Sequence, residues 1–318
     1  MLLTGVTLAG CGTPSHAATT GRPVPLVRPT SASGPPAPPA RVTVRPSSPK
    51  VTPTPTPTLS HPPATSAVPL PTPATTVSLR SSSYSLRTFT EPGGAQVTVA
   101  VFPAGTVRLV LHAGSTDPGG AASGLQARSV ITAAERPTLV GAFNGGFLLS
   151  SGAGGYVQER RVIRSLVNGL ATVTIDGSGV PRVGVWGRDL GGSPYSARQN
   201  LRPLVLGGRP APDVGYPSHW GAVLGGSYVV ARSALASDGA GDLIFAGSMA
   251  TTPADLAAAL IGAGASTGME LDINPQWVQL ALAASPGGPL QTGLPGQHRP
   301  ASQYLTGWSR DFFAVLAR

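Results

Sequence analysis

The run Met269-Glu270-Leu271-Asp272-Ile273-Asn274 alternates apolar and polar residues. Read as a strand, it sets Met269, Leu271 and Ile273 on one face and Glu270, Asp272 and Asn274 on the other. Two carboxylates about 7 Å apart on one strand face, with a carboxamide beside them, suit acid–base work or the holding of a sugar. A plain solvated strand face is the competing reading. Trp277 follows closely and favours function, because an indole beside paired acids suits a sugar ring. Glu270 and Asp272 are also oxygen donors of the kind a divalent metal takes. The five histidines are scattered and none pairs at ligand spacing, so no metal and no cofactor are expected.

A second constellation is Phe143-Asn144-Gly145-Gly146-Phe147. Paired glycines after an Asn let backbone amides come close to a ligand, while the carboxamide both donates and accepts. The same Asn-Gly pair also suits a tight hairpin turn, which is the plainer reading. Gly264-Ala265-Ser266-Thr267-Gly268 matches the G-x-S-x-G pattern but falls between a helix and a strand, the reverse of what a nucleophile elbow needs. No P-loop and no H-E-x-x-H is present.

Taken in order, Phe143-Asn144-Gly145-Gly146-Phe147, Arg232-Ser233-Ala234 and Glu270-Leu271-Asp272 resemble the phosphodiester glycosidase family, in particular its actinobacterial extracellular branch. The resemblance spans roughly residues 95–318 and includes the closing Arg310-Asp311-Phe312-Phe313-Ala314-Val315. It implies a hydrolase that cleaves a sugar–phosphodiester linkage, with Asp272 in the place of a family Asp; Glu270 falls where a family member has an amide, so its reading as the second catalytic carboxylate rests on the shared strand face. It further implies that Asn144 and Gly145 line the sugar–phosphate pocket and that Arg232 holds the phosphate; Asn274, on the polar strand face, is a further candidate binding residue. The chain departs from the family where Ile273-Asn274-Pro275 replaces a glycine run and Leu235-Ala236 follows the Arg-Ser-Ala element. These changes remove backbone donors from a phosphate cradle. A carbohydrate- or cell-wall-binding surface lipoprotein without catalysis is therefore the alternative. Asn144, Arg232, Glu270 and Asp272 are expected to converge at strand ends. Arg232 beside Asp272 would keep that carboxylate ionised and leave Glu270 as the general acid.

The elements that must position these residues follow from periodicity and turn chemistry. Gln96–Phe102 and Thr106–Leu111 alternate around Pro103-Ala104-Gly105, which predicts a hairpin. A helix is predicted from a Ser123 cap to about Glu135, and a buried strand at Thr138–Phe143. Further strands are predicted at Ala171–Asp176, Pro181–Trp186, Ala222–Ala231 and Leu243–Ala246, with Asp176-Gly177 and Asp238-Gly239 as turns. Thr252, Pro253 and Asp255 have the spacing of a capped helix start, so Pro253–Ala263 reads as a helix. The expected class is α+β: one sheet-rich domain with two or three helices over residues 82–318.

Eighteen of the 34 prolines lie in the first 80 residues, where no regular core can form. Residues 12–81 therefore read as a disordered Pro/Thr/Ser-rich tether, with Val51–Thr58 favouring polyproline II. Leu8-Ala9-Gly10-Cys11 resembles a lipobox and contains the sole cysteine, so residues 1–11 read as a truncated signal peptide with Cys11 as lipid-attachment point. Such a chain would sit on the extracellular face of the membrane or be secreted, touching the cell envelope through its anchor. No run of 18 apolar residues is present. The net charge of +9 splits into +6 over residues 1–85 and +3 over the rest, with no aromatic interleaving. That distribution argues against a nucleic-acid partner. A carbohydrate phosphodiester is the expected ligand, and a monomer the expected state.

Overall fold

Runs rich in Val, Ile, Thr and Phe become strands here, and the Gly, Pro and Asp positions between them become turns. The computed structural model of the protein describes residues 74–91, 94–119, 125, 129–221 and 227–318. All lie within one compact unit, Thr65–Arg318.

The described chain begins with β1 (Ala74–Arg80), β2 (Ser85–Thr90), β3 (Gln96–Phe102), β4 (Val107–His112) and β5 (Leu139–Asn144). Short strands follow: β6 (Tyr156–Gln158), β7 (Arg161–Arg164), β8 (Ala171–Ile175), β9 (Pro181–Val185) and β10 (Ser196–Gln199). Next come β11 (Pro203–Leu206), β12 (Arg209–Pro210), β13 (Val230–Ser237), β14 (Leu243–Thr251) and helix α1 (Pro253–Gly262). The rest comprises β15 (Thr267–Glu270), β16 (Leu280–Ala283), β17 (Leu290–Thr292), the one-turn α2 (Gln303–Thr306) and β18 (Phe312–Ala317).

Three antiparallel sheets result. The largest has eight strands in the order β1-β2-β3-β14-β13-β15-β11-β12. Two five-stranded sheets run β17-β16-β5-β18-β4 and β7-β6-β10-β8-β9. Period two gives the eight-stranded sheet two buried faces. On one, Leu235, Phe245 and Met269 pack with Phe143, Leu280 and Phe313 of the second sheet and Val173 of the third. On the other, Ala234, Ala236 and Ile244 pack with Leu256 and Leu260 of α1 and with Trp220. Thr252 caps α1 reciprocally: Asp255 N–H donates to its Oγ1 at 3.1 Å, and the hydroxyl donates to Asp255 Oδ2 at 2.7 Å.

The sheet-rich single domain with two helices agrees with expectation. Four details differ. The turn at Pro103–Gly105 forms, with Thr106 N–H donating to Pro103 O at 3.1 Å, but β3 and β4 enter different sheets. Local turn chemistry sets the reversal, whereas distant partners β14 and β18 decide the pairing. Ala74–Arg80, inside the stretch read as tether, form β1, which pairs along β2. Ser123 lies outside the described residues, and 129–135 form turns leading into a 3-10 turn at Arg136–Thr138. The strand expected at Ala222–Ala231 starts at Val230, with residues 222–226 outside the described set. Residues 1–73, including Cys11, also lie outside it.

Candidate functional site

Strand β15 ends at Glu270, and the chain leaves the sheet carrying its second carboxylate. Two backbone bonds hold the departure in place: Leu271 N–H to Ser233 O at 2.7 Å, and Ser233 N–H to Asp272 O at 2.9 Å. Asn144, at the end of β5, ties the second sheet to the same point. Its Nδ2 donates to Ser233 Oγ at 2.9 Å, and its Oδ1 accepts from Gln279 N–H at 3.2 Å. Asn200 completes the support, donating to Glu270 O at 2.5 Å and Leu271 O at 2.9 Å while accepting from Phe147 N–H at 3.2 Å.

The Asp272 carboxylate is held from two sides. Oδ1 accepts the N–H groups of Ile273 at 2.7 Å and Asn274 at 2.9 Å. Oδ2 accepts from Arg310 NH2 at 3.3 Å, and the same nitrogen donates to Gly146 O at 3.0 Å. The Arg310 guanidinium also lies 4.2 Å over the Trp277 ring, a cation–π contact. Asp272, Asn274, Trp277 and Arg310 line a cleft of about 340 Å³ whose apolar walls include Phe147, Leu148 and Ile273. Burial raises the Asp272 carboxyl to about 6, against the lowering effect of Arg310 and the two amides. Arg310 Nε and NH1 are enclosed and make no hydrogen bond, and Nε stands 4.0 Å from the Asp117 carboxylate.

Glu270 and Arg232 stand apart from this cleft. They pair at 2.6 Å, and Arg232 also donates to Trp220 O at 3.0 Å and Thr251 O at 3.3 Å. Both side chains are fully buried. Burial raises the Glu270 carboxyl to about 8, opposed by Arg232 and reinforced by the charge of Asp272. The expected juxtaposition of Arg232 with Asp272 is thus corrected: Arg310 occupies that place. Alternation along β13 is the reason. Arg232 and Ser233 point to opposite faces, and Glu270, opposite Ala234 in the ladder, shares the Trp220 and α1 face with Arg232. Asp272 lies past the strand end, where period two no longer governs. The solvated-face alternative fails too, because Glu270 and Asp272 are both buried.

Gly145 and Gly146 have a packing role. Gly145 N–H donates to Asp311 O at 2.9 Å, and a Cβ there would lie 2.1 Å from Asp311 Oδ2. A Cβ on Gly146 would lie 3.0 Å from Arg198 Cζ. The glycines make room for the Arg198–Asp311 ion pair, 2.8 Å long with both side chains fully buried. Arg198, Asn200 and Asp117 were not singled out from the sequence. The signal for two of them was present: Arg198-Gln199-Asn200 places three polar residues in a row in a chain with only 11% charged residues. Among the described residues no group of three or more His, Cys, Asp or Glu side chains could hold a metal ion.

No protein-family profile matches the chain, and no curated protein matches it. Solved structures do. A hypothetical protein from Synechocystis aligns with 77% of this chain at 12% identity and a TM-score of 0.48, and the chain spans 64% of that protein's length. The catalytic domain of zebrafish N-acetylglucosamine-1-phosphodiester alpha-N-acetylglucosaminidase, auto-inhibited by its pro-peptide, aligns with 78% of this chain. There the chain covers 89% of the domain at 17% identity with a TM-score of 0.47. Both are distant likenesses of fold.

Proposed function

We propose that this domain is a hydrolase that breaks the bond between a sugar and the phosphate of a phosphodiester. One observation carries the reading: a buried carboxylate, Asp272, pairs with the guanidinium of Arg310, which lies over the indole of Trp277, in the wall of one cleft. An indole face suits a sugar ring, a planar fork of donors suits a phosphate, and a carboxylate with a raised pKa suits proton transfer near neutral pH.

A departing phosphomonoester has a second pKa of about 6, so it leaves with little help from an acid. Asp272 then acts as the base. Its ionised carboxylate takes a proton from water as the water oxygen bonds to the anomeric carbon. The carbon–oxygen bond to phosphate breaks, and its electron pair stays on the phosphate oxygen beside Arg310. Asn274 contributes a polar wall. Arg232 and Glu270 act from behind, by fixing the strand end that delivers Asp272. Asn144 and Gly145 act by locking the neighbouring loop. In this reading the domain works outside the cell, tethered through Cys11, as the Leu8-Ala9-Gly10-Cys11 motif suggests.

The test is to incubate the purified protein with a panel of glycosyl phosphodiesters and measure released sugar. Release that disappears in Asp272→Asn supports the reading. Sugar phosphate binding without any release would overturn it in favour of a binding module, and mass spectrometry of membrane-extracted protein checks for lipid on Cys11.

A further inference from the structure

Arg198, Arg232 and Arg310 are the buried arginines among the described residues, and four buried carboxylates face them. Arg198 serves Asp311 at 2.8 Å and Arg232 serves Glu270 at 2.6 Å, each as a short pair with both side chains fully buried. Arg310 is divided. Its NH2 stands 3.3 Å from Asp272 Oδ2, and its Nε stands 4.0 Å from Asp117 Oδ2. A charge-assisted bond between guanidinium and carboxylate is ordinarily about 2.7–2.9 Å long. Both contacts exceed that length, as befits one cation drawn toward two anions.

The backbone delivers Asp117 to this place. Ser115 N–H donates to Trp308 O at 2.9 Å, and the N–H groups of Thr116 and Asp117 donate to Ser309 O at 3.1 and 3.0 Å. The segment is thus laced to the residues just before Arg310. Gly114 permits the approach, since a Cβ there would lie 2.4 Å from the Arg310 backbone. Asp117 Oδ1 is anchored separately by the Leu149 N–H at 3.3 Å. Burial and the Asp311 charge raise the Asp117 carboxyl, opposed by Arg198 and Arg310, and Tyr156 faces the same group. The charged neighbours of Asp272 are Arg310, Asp311 and Glu270.

We propose that Asp117 is a positioning residue for Asp272: by drawing on the same guanidinium, it stops Arg310 from closing a tight pair with Asp272 and so preserves the basicity of the cleft carboxylate. The proposal rests on the reading of Asp272 as the base. A carboxylate held by a guanidinium of its own binds a proton weakly, and a weak base takes a proton from water poorly. Asp117 divides the cation and leaves Asp272 basic enough for that step.

Carbon-13 NMR of the aspartate carboxyls in the whole protein tests this without a substrate. Asp272 titrates near 6 in the wild type. Asp117→Asn releases Arg310 to Asp272, so the Asp272 midpoint should fall by about one pH unit, the low end of what one nearby charge does. On an active substrate the rising limb of kcat/KM should move by the same amount. If Asp117→Asn does not fold, the wild type decides alone: Asp117 and Asp272 should each show two inflections, because each senses the proton of the other through the shared cation. An unmoved or raised Asp272 midpoint in Asp117→Asn, or independent single-step curves in the wild type, overturns the proposal. A midpoint that falls in a protein releasing no sugar from any glycosyl phosphodiester leaves the shared cation standing and removes the hydrolase reading instead.

Discussion

Glu270 and Asp272 are two positions apart, and each faces an arginine. The Glu270–Arg232 pair is sealed, with both side chains fully buried between the eight-stranded sheet and the Trp220 layer. The Asp272–Arg310 pair borders a cleft and is longer, at 3.3 Å against 2.6 Å. Identical chemical partners thus serve different ends according to what surrounds them. A short, enclosed pair holds strands together, whereas a looser pair at a cavity wall can exchange one partner for a ligand. Residue type alone does not distinguish these cases; the end of β15 does.

The comparison is most exposed to failure at Asp272. Asp272→Asn should lower kcat/KM on an active substrate by about 10³-fold, within the range of general acid–base contributions. Arg232→Met should cost about 3–5 kcal/mol in denaturant unfolding, because it strands a buried carboxyl. Arg310→Met should cost clearly less stability and more activity. Equal losses of stability in the two arginine variants would erase the distinction between the pairs.

The two carboxyls should also separate by pH. Asp272 titrates near 6, so kcat/KM should rise as pH climbs through that value and the base ionises. For Glu270 the folded value, about 8, lies above the ordinary 4.5. The folded state therefore keeps a proton the unfolded chain has lost, and stability falls as pH rises from about 4.5 toward 8. Glu270→Gln should flatten that decline and leave the activity profile near pH 6 in place, as seen by unfolding and kinetics across pH. The smallest effect is expected at Thr252→Ala, which removes the α1 cap on the sealed face. It should cost about 1 kcal/mol and leave kcat/KM untouched.

Much of the local structure was legible in the sequence. The α1 cap, the alternation of β3 and β4 and the Asp176-Gly177 turn each depend on residues only a few positions apart. Partner choice was not legible. Period two along β13 puts Arg232 and Ser233 on opposite faces once the strand is known, but nothing local says that Arg310 comes to Asp272 and Arg232 to Glu270. The strand reading of Met269–Asn274 failed at its far end for a related reason: Leu271 and Asp272 bond back to Ser233 while the chain turns away. By sequence, the glycines at 145 and 146 suit either a tight turn or room for a ligand, and they make room for Arg198 and Asp311, more than fifty residues further along the chain.

The sheet order carries a kinetic consequence. Strand β3 pairs with β14, and β4 pairs with β18, so neighbours in space are among the most distant segments of the domain. Closing such long loops costs entropy before any contact rewards it, and topologies of this kind fold on the millisecond-to-second scale. Until β18 docks between β4 and β5, both of those strands present open edges to other chains. Arg310 and Asp311 immediately precede β18. The cleft wall and the closure of the second sheet therefore depend on the same segment, so a chain in which β18 is undocked has open edges at β4 and β5 and an incomplete site.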